Sequence, residues 1–241
     1  MKVLLISATG TPPFAHAKQV MREFLGPQKT LGFVSAASLF DEADYFHLIR
    51  THLTEIASPV VREMVHLRWD ADRIDALNRI DALLVGGGNT YALLKRLAGS
   101  GLLGAIRQKV QEGLPYIGSS AGANLAGPNI LTTNDWNVVS ATSFDALGLV
   151  PFNINPHYVE RGFGDGAHSE TRTLRIREYH QVHANPVVAI EETAILRIEN
   201  RSTRVLGEGG AKVFARGGSE RWYRAGEELV FDHAALLSAS K

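Results

Sequence analysis

The pentapeptide Gly118-Ser119-Ser120-Ala121-Gly122 is the stretch of this 241-residue chain with the residue types of a nucleophile turn. It follows a short apolar run ending at Ile117 and precedes Ala123-Asn124-Leu125-Ala126, which reads as a helix opening. G-x-S-x-G between a strand and a helix describes a nucleophile elbow. The turn is tight, so its flanking residues must be small. It lifts the central hydroxyl clear of the sheet end and aims the first helical N–H groups at the spot where an oxyanion forms. The competing reading is a glycine-rich turn that happens to hold a serine, and the rest of the chain has to separate the two.

A serine nucleophile needs a base, a group that orients the base, and an oxyanion hole. Of nine histidines, His16, His47, His52, His66, His168, His180, His183 and His233 fall in helices, charged stretches or the tail. His157 follows an apolar strand in a rigid Asn155-Pro156-His157-Tyr158 turn, which makes it the candidate base. Carboxylates at strand ends are Asp135, Asp145, Glu191 and Glu192. Residue logic alone leaves Glu192 and Asp135 open as the orienter. Gly86-Gly87-Gly88 after a buried strand lacks the spacing of a phosphate loop, so its better use is close backbone approach. The Gly88 N–H and the Ala121 N–H are then the oxyanion donors. The order Ser…His…Glu differs from the Ser…Asp/Glu…His order of alpha/beta-hydrolases, which argues against a lipase or esterase. No metal site is expected: His180 and His183 have ligand-like spacing on a charged helix with no third ligand nearby, and are read as solvated. Arg172, Arg175 and Arg177 form a basic helical cluster that reads as a solvated face or as a grip on an acidic substrate group.

These residues need a scaffold. Apolar runs at 3–7, 31–35, 60–67, 82–85 and 116–119 alternate with helical patterns at 15–25, 41–56, 70–80, 91–97 and 102–111. In the second of these helices Ala43, Phe46, Leu48, Ile49 and Leu53 are expected inward. Continuously apolar strands alternating with helices predict an α/β three-layer sandwich, its mostly parallel sheet covered on both faces, with ligands beyond the carboxyl ends of the strands. After residue 127 the pattern changes. Short extended pieces are expected at 131–134 and 138–140, strands at 152–155, 187–190 and 194–198, and a charged helix at 169–182. From Arg201 onward, recurring turn signals predict C-terminal antiparallel hairpins closing the sheet edge. Without repeats or linkers, residues 1–241 are read as a single domain.

The totals bound the function. A hydrophobic content of 45% supports a large core, and zero formal net charge points to no nucleic acid and no anionic membrane. The absence of cysteine excludes disulfides, thiolate metal sites and a cysteine nucleophile. No apolar run approaches membrane-spanning length, and residues 1–7 are too short for a signal segment, so a cytoplasmic protein is expected.

Several separated motifs then occur in one order: Val85-Gly-Gly-Gly-Asn-Thr-Tyr-Ala-Leu-Leu-Lys95, Tyr116-Ile-Gly-Ser-Ser-Ala-Gly-Ala-Asn-Leu-Ala126, Thr132-Thr-Asn-Asp135, Phe144-Asp-Ala-Leu147, Ile154-Asn-Pro-His157 and Glu170-Thr-Arg172. Together they closely resemble the peptidase E family of bacterial alpha-aspartyl dipeptidases, serine peptidases related to cyanophycinase. The resemblance covers most of the chain and is densest from residue 82 to 178. It implies a class I glutamine amidotransferase-like fold, with Ser120 as nucleophile, His157 as base and Glu192 as third member. The amidotransferases place their glutamate two residues after the histidine, where this chain has Val159. Around the expected glutamate the chain reads Glu191-Glu192-Thr193, of which alignment from the preceding strand selects Glu192. The resemblance also implies that Arg172 binds the substrate aspartate side chain and that Asn89 and Asp135 line the pocket. It implies no cofactor, and small acidic dipeptides as substrates of a monomer or homodimer. Residues 161–168 depart most from the family pattern. The rival expectations are a cyanophycinase-like beta-aspartyl peptidase and a non-catalytic binding protein on the same fold.

Overall fold

In the computed structural model, which describes residues 1–27, 29–56, 61–70, 74–160 and 171–231, the chain is organised around its first strand. In β1 (Lys2–Ile6), Val3 and Leu5 pack into one apolar cluster while Leu4 and Ile6 pack into another. Strand side chains alternate between faces, so a continuously apolar strand requires cover on both.

That cover comes from helices on either side of a seven-stranded sheet. Strands β2 (Lys29–Val34), β3 (Val61–His66), β4 (Ala82–Val85) and β5 (Tyr116–Ser119) join β1 in parallel, and β8 (Ala194–Glu199) and β9 (Ser202–Gly207) add an antiparallel hairpin, giving the order β3-β2-β4-β5-β1-β8-β9. Helices α1 (Lys18–Leu25) and α2 (Glu42–Thr51) place Phe24, Phe46 and Ile49 in the cluster holding Leu4 and Ile6. The short α3 (Ile74–Leu77), with α4 (Thr90–Gly99) and α5 (Leu102–Gln111), covers the opposite face through Leu77, Leu93, Leu97, Leu102 and Ile106. The elbow helix α6 (Ala121–Leu125) leaves the end of β5.

Strands β6 (Asn153–Asn155), β7 (Val187–Ile190), β10 (Ala211–Phe214) and β11 (Glu220–Tyr223) form a second sheet in the order β11-β10-β7-β6. This corrects the expectation that the C-terminal hairpins all close one sheet edge: β8 and β9 do so, whereas β10 and β11 pair away from it. Helix α7 (Arg172–Val182) lies on this second sheet, with Ile176 and Tyr179 against Val187, Ala189 and Phe214.

Three local expectations change. Residues 131–134 and 138–140 are turns rather than extended pieces. Side chains take the backbone partners a strand would use: Thr132 donates to the Ile154 carbonyl and Asn134 to that of Pro156, while Asn137, just before the second segment, spans it to the Ala141 carbonyl. Leu48 is exposed, because α2 turns only its Phe46–Ile49 side to the sheet. Parts of the helices expected at 70–80 and 169–182, and all of 161–168, lie outside the described residues, as do His168, Glu170 and His233. No described helix is long and apolar enough to cross a membrane.

Candidate active site

The turn from β5 into α6 is a strained elbow. Ser120 has φ 52° and ψ −107°, a conformation that an L-residue adopts only under constraint. Two glycines supply the constraint. A Cβ at Gly118 would run into the Gly122 carbonyl, and one at Gly122 would run into the Val85 carbonyl. The Tyr116 hydroxyl, fully buried, donates to the Gly122 oxygen at 2.7 Å and holds the first turn of α6 from below. Ser120 N donates to the Ile6 carbonyl at 3.0 Å, fixing the elbow to β1.

His157 and Glu192 come from adjacent strands. Because β6 and β7 pair in parallel, with Asn155 beside Ala189, their carboxyl ends emerge together. His157 stands two residues past β6, and Glu192 two residues past β7. The imidazole Nε2 lies 2.8 Å from Ser120 Oγ, and its Nδ1 lies 2.6 Å from Glu192 Oε2. A carboxylate only accepts, so Nδ1 carries the proton and donates to Glu192. Nε2 then faces the serine hydroxyl with its lone pair, the tautomer a general base needs. Glu192 is 66% exposed, so water screens its charge, and its hold on the ring is chiefly orientational.

The histidine turn is itself constrained, with His157 at φ 56°. Asn134 Nδ2 and Arg172 Nη1 both donate to the Pro156 carbonyl at 2.9 Å. His157 N donates to the buried Ser7 hydroxyl at 2.8 Å, and the Ser7 hydroxyl donates in turn to the Ile190 carbonyl at 3.0 Å. Ser7, just past β1, therefore ties the histidine turn to the turn that carries Glu192.

A cavity of about 620 Å³ opens over Ser120, His157 and Glu192. Its walls are residues 8–11 after β1, 37–40 after β2, Tyr45 of α2, and Gly87, Gly88 and Asn89 after β4. The site thus collects the carboxyl ends of β1, β2, β4, β5, β6 and β7, as expected of such sheets. Among the described residues neither the Gly88 N–H nor the Ala121 N–H has a protein acceptor.

The residues expected to bind substrate divide. Asn89 lines the cavity while capping α4 through Ala92 N and donating to the Trp136 carbonyl. Asp135 lies outside the lining. Its Oδ2 accepts from Thr90 N at 2.7 Å and from the Thr90 and Thr133 hydroxyls, so the expectation that it lines the pocket is replaced by a clasp on the start of α4. Arg172 also lies outside the lining, bonded to the Pro156 carbonyl next to His157. Burial lowers its pKa from the usual guanidinium range, the Glu192 charge opposing. The basic cluster is not one surface: Arg177 pairs with Glu220 at 2.7 Å. His180, expected solvated, is buried against Tyr179, and burial pushes its pKa down. No metal-binding group of three His, Asp or Glu occurs among the described residues. Sequence reasoning missed Ser7, Thr9, Leu39, Phe40 and Tyr45. For the first four, the available signal was position just past the apolar runs of β1 and β2, where ligands of parallel sheets sit.

Known proteins are similar to this chain. Residues 3–206 match Peptidase family S51. A Streptomyces coelicolor protein named Peptidase E is 38% identical over 232 residues, covering 95% of this chain and 93% of the relative. A Drosophila melanogaster protein named Probable alpha-aspartyl dipeptidase is 43% identical over 187 residues, 77% of this chain and 76% of the relative. Two crystal structures share the fold. One is of a peptidase from an acI-B1 Actinobacterium, with TM-score 0.72 at 18% identity, covering 95% of this chain and 96% of the other. The second is of a putative peptidase E protein from Listeria monocytogenes, with TM-score 0.64 at 24% identity, covering 92% and 98%. With most of its length matched to the family and with relatives of this identity and coverage, the chain belongs to peptidase family S51.

Proposed function

We propose that this protein is a serine dipeptidase that hydrolyses the bond after an N-terminal aspartate. The observation that carries the reading is the contiguous run from Ser120 Oγ to His157 Nε2 at 2.8 Å and from His157 Nδ1 to Glu192 Oε2 at 2.6 Å, on the floor of one cavity. The relatives' printed names, Peptidase E and Probable alpha-aspartyl dipeptidase, support the aspartyl specificity.

In this mechanism Ser120 Oγ attacks the carbonyl carbon after the aspartate as its proton passes to His157 Nε2. The carbonyl oxygen becomes an oxyanion held by the Gly88 and Ala121 N–H groups. The C–N bond then breaks, His157 protonates the departing amine, and the aspartyl group remains as an ester on Ser120. Water attacks that ester, His157 takes its proton and returns it to Ser120, and free aspartate leaves. Glu192 keeps the proton on Nδ1 and steadies the imidazolium in both steps.

Selection of an acidic side chain needs a local cation, because the chain has no net charge to supply a field. Arg172 is assigned that role. Its guanidinium is tied to the carbonyl of Pro156, next to the base, and is close enough to Glu192 to feel its charge. Asn89, at the cavity wall, is assigned to the substrate's amino end. A cytoplasmic enzyme acting as a monomer or homodimer on small acidic peptides fits a sequence without cysteine.

The test is a panel of Asp-Leu, Glu-Leu, Asn-Leu and beta-Asp-Leu on the native protein and on Ser120→Ala. The reading requires turnover of Asp-Leu above the others, abolished in the variant. Preference for beta-Asp-Leu would move the protein to the cyanophycinase-like side, and turnover of none would leave a binding protein.

A further inference from the structure

Five successive backbone N–H groups run through the turn after β4, and four have acceptors. Gly86 N donates to the Val34 carbonyl at 3.0 Å and Asn89 N to the Ala37 carbonyl at 2.8 Å. Thr90 N donates to Asp135 Oδ2 at 2.7 Å, and Gly87 N donates to the Tyr45 hydroxyl at 3.1 Å. Gly88 N is left, at φ 133°, a conformation open to glycine, and a Cβ there would run into the Ala37 carbonyl.

A Gly-Gly peptide has little intrinsic preference for which way its plane faces. Something has to decide whether Gly87 or Gly88 presents its N–H to the cavity. The bonds from Gly86 N and Asn89 N hold the ends of the turn but not the Gly86–Gly87 and Gly87–Gly88 peptides between them. Tyr45 holds the first of these through the Gly87 N–H, and so fixes the plane from which the Gly88 peptide departs. It arrives from α2, more than forty residues upstream, and lines the same cavity as Ser120. Its ring is steadied edge-on against Phe33, with centroids 5.3 Å apart. Its phenol is pushed above the ordinary range by burial, hydrogen bonds with Thr9 and Gly87 opposing, so it is protonated at any working pH. Thr9 in turn bonds Ser119, the residue before the nucleophile, at 3.0 Å. Gly87 itself is packed against Ser120: a Cβ there would sit 3.1 Å from the serine Cβ.

We propose that Tyr45 is a positioning residue for the oxyanion hole: by taking the Gly87 N–H out of the cavity it leaves the Gly88 N–H as the donor that meets the tetrahedral intermediate. This rests on the serine-hydrolase reading above. It adds a residue from outside the turn and the elbow, one that acts on the intermediate without touching the base.

The experiment is Tyr45→Phe, which keeps the ring and its contact with Phe33 and removes the hydroxyl. Deleting one oxyanion donor outright typically costs about 10²- to 10³-fold in kcat, so a misdirected donor should cost about 10- to 100-fold. That loss should fall on kcat for Asp-Leu with KM nearly unchanged. The rate of Ser120 phosphonylation by a fluorophosphonate, which also builds a tetrahedral centre in the hole, should drop by a similar factor. The acid limb of the pH–rate profile should stay where it is, because His157 and Glu192 are untouched. Native rates on both reagents would overturn the proposal. So would a loss confined to KM, or a kcat loss without slower phosphonylation, which would make Tyr45 a substrate contact. A shifted acid limb with a lowered Tm would make it a support of the fold, and would overturn it too. Should the native protein react with the fluorophosphonate yet leave Asp-Leu intact, the dipeptidase reading falls, and phosphonylation alone still decides the role of Tyr45.

Discussion

Glu191 and Glu192 are neighbours in the chain and committed to different partners. Glu191 Oε2 accepts from Gly210 N at 2.7 Å, fastening the end of β7 to the start of its antiparallel neighbour β10, while Glu192 Oε2 accepts from His157 Nδ1 at 2.6 Å. Leaving the end of a strand, successive side chains point apart, so one carboxylate serves the sheet and the other the cavity.

From this, Glu192→Ala should lose far more activity than Glu191→Ala. Removing a buried triad carboxylate's charge costs about 10⁴-fold in kcat. Glu192 is 66% exposed, so a loss of about 10²-fold is expected here. Glu191→Ala should instead cost about 1 kcal/mol of stability with activity retained. Steady-state kinetics and thermal melts of both variants check this. A deeper loss in Asp135→Ala than in Glu192→Ala would mean that the third member has been misassigned.

Ser120→Ala should fold normally and lose on the order of 10⁴-fold or more in kcat. Ser120→Gly should be equally inactive and more stable than Ser120→Ala by about 1 kcal/mol, because glycine tolerates φ 52° without strain. Chemical denaturation of the two inactive variants measures the difference. Equal stabilities would show that the elbow stores no strain at Ser120.

Arg172→Ala should cut kcat/KM for Asp-Leu while changing Asn-Leu far less. Truncating one partner of a buried charge pair costs about 2 to 5 kcal/mol, and Arg172, only partly buried, belongs at the low end, roughly 30-fold. Arg172 also donates to the Pro156 carbonyl beside the base. If that support were its whole role, both substrates would suffer in equal proportion.

Stability should fall on acidification through a cluster away from the cavity. Buried Lys212 bonds Glu160 and Glu220, each at 2.9 Å, and Arg177 reinforces Glu220. Burial alone would raise both glutamates. Hydrogen bonds from Tyr158 and Lys212 to Glu160, and from Lys212 and Arg177 to Glu220, bring them below the ordinary carboxylate range. A depressed folded pKa contributes stability that is present above the unfolded value, near about 4.3, and is lost as pH falls through the folded one. Melts from neutral pH into that acid range should show a falling Tm. Glu160→Gln with Glu220→Gln should start lower, with Lys212 left unpaired, and should lose less on acidification. Equal losses in the two proteins would place the acid limit elsewhere.

The elbow, the β/α alternation of the first half and the histidine turn were legible in the amino-acid sequence, because each is written within a few consecutive residues. Gly118, Ala121 and Gly122 around Ser120 are demanded by the turn itself. Continuous apolarity from Val3 to Ile6 demands a strand covered twice, and Pro156 before His157 stiffens its own loop. What lies far apart in the chain was decided only by the tertiary structure. Glu192 rather than Asp135 meets the imidazole because β6 and β7 pair in parallel, a pairing that two short apolar runs do not specify. The same limit hid the second sheet: β10 and β11 look like any hairpin until β7 claims them. Asp135 clasps Thr90, Ser7 bridges the histidine and glutamate turns, and Tyr45 reaches Gly87, each across dozens of residues. Local spacing determines what a residue type can do chemically. Which donor meets which acceptor is set by packing between elements, and that depends on the whole fold.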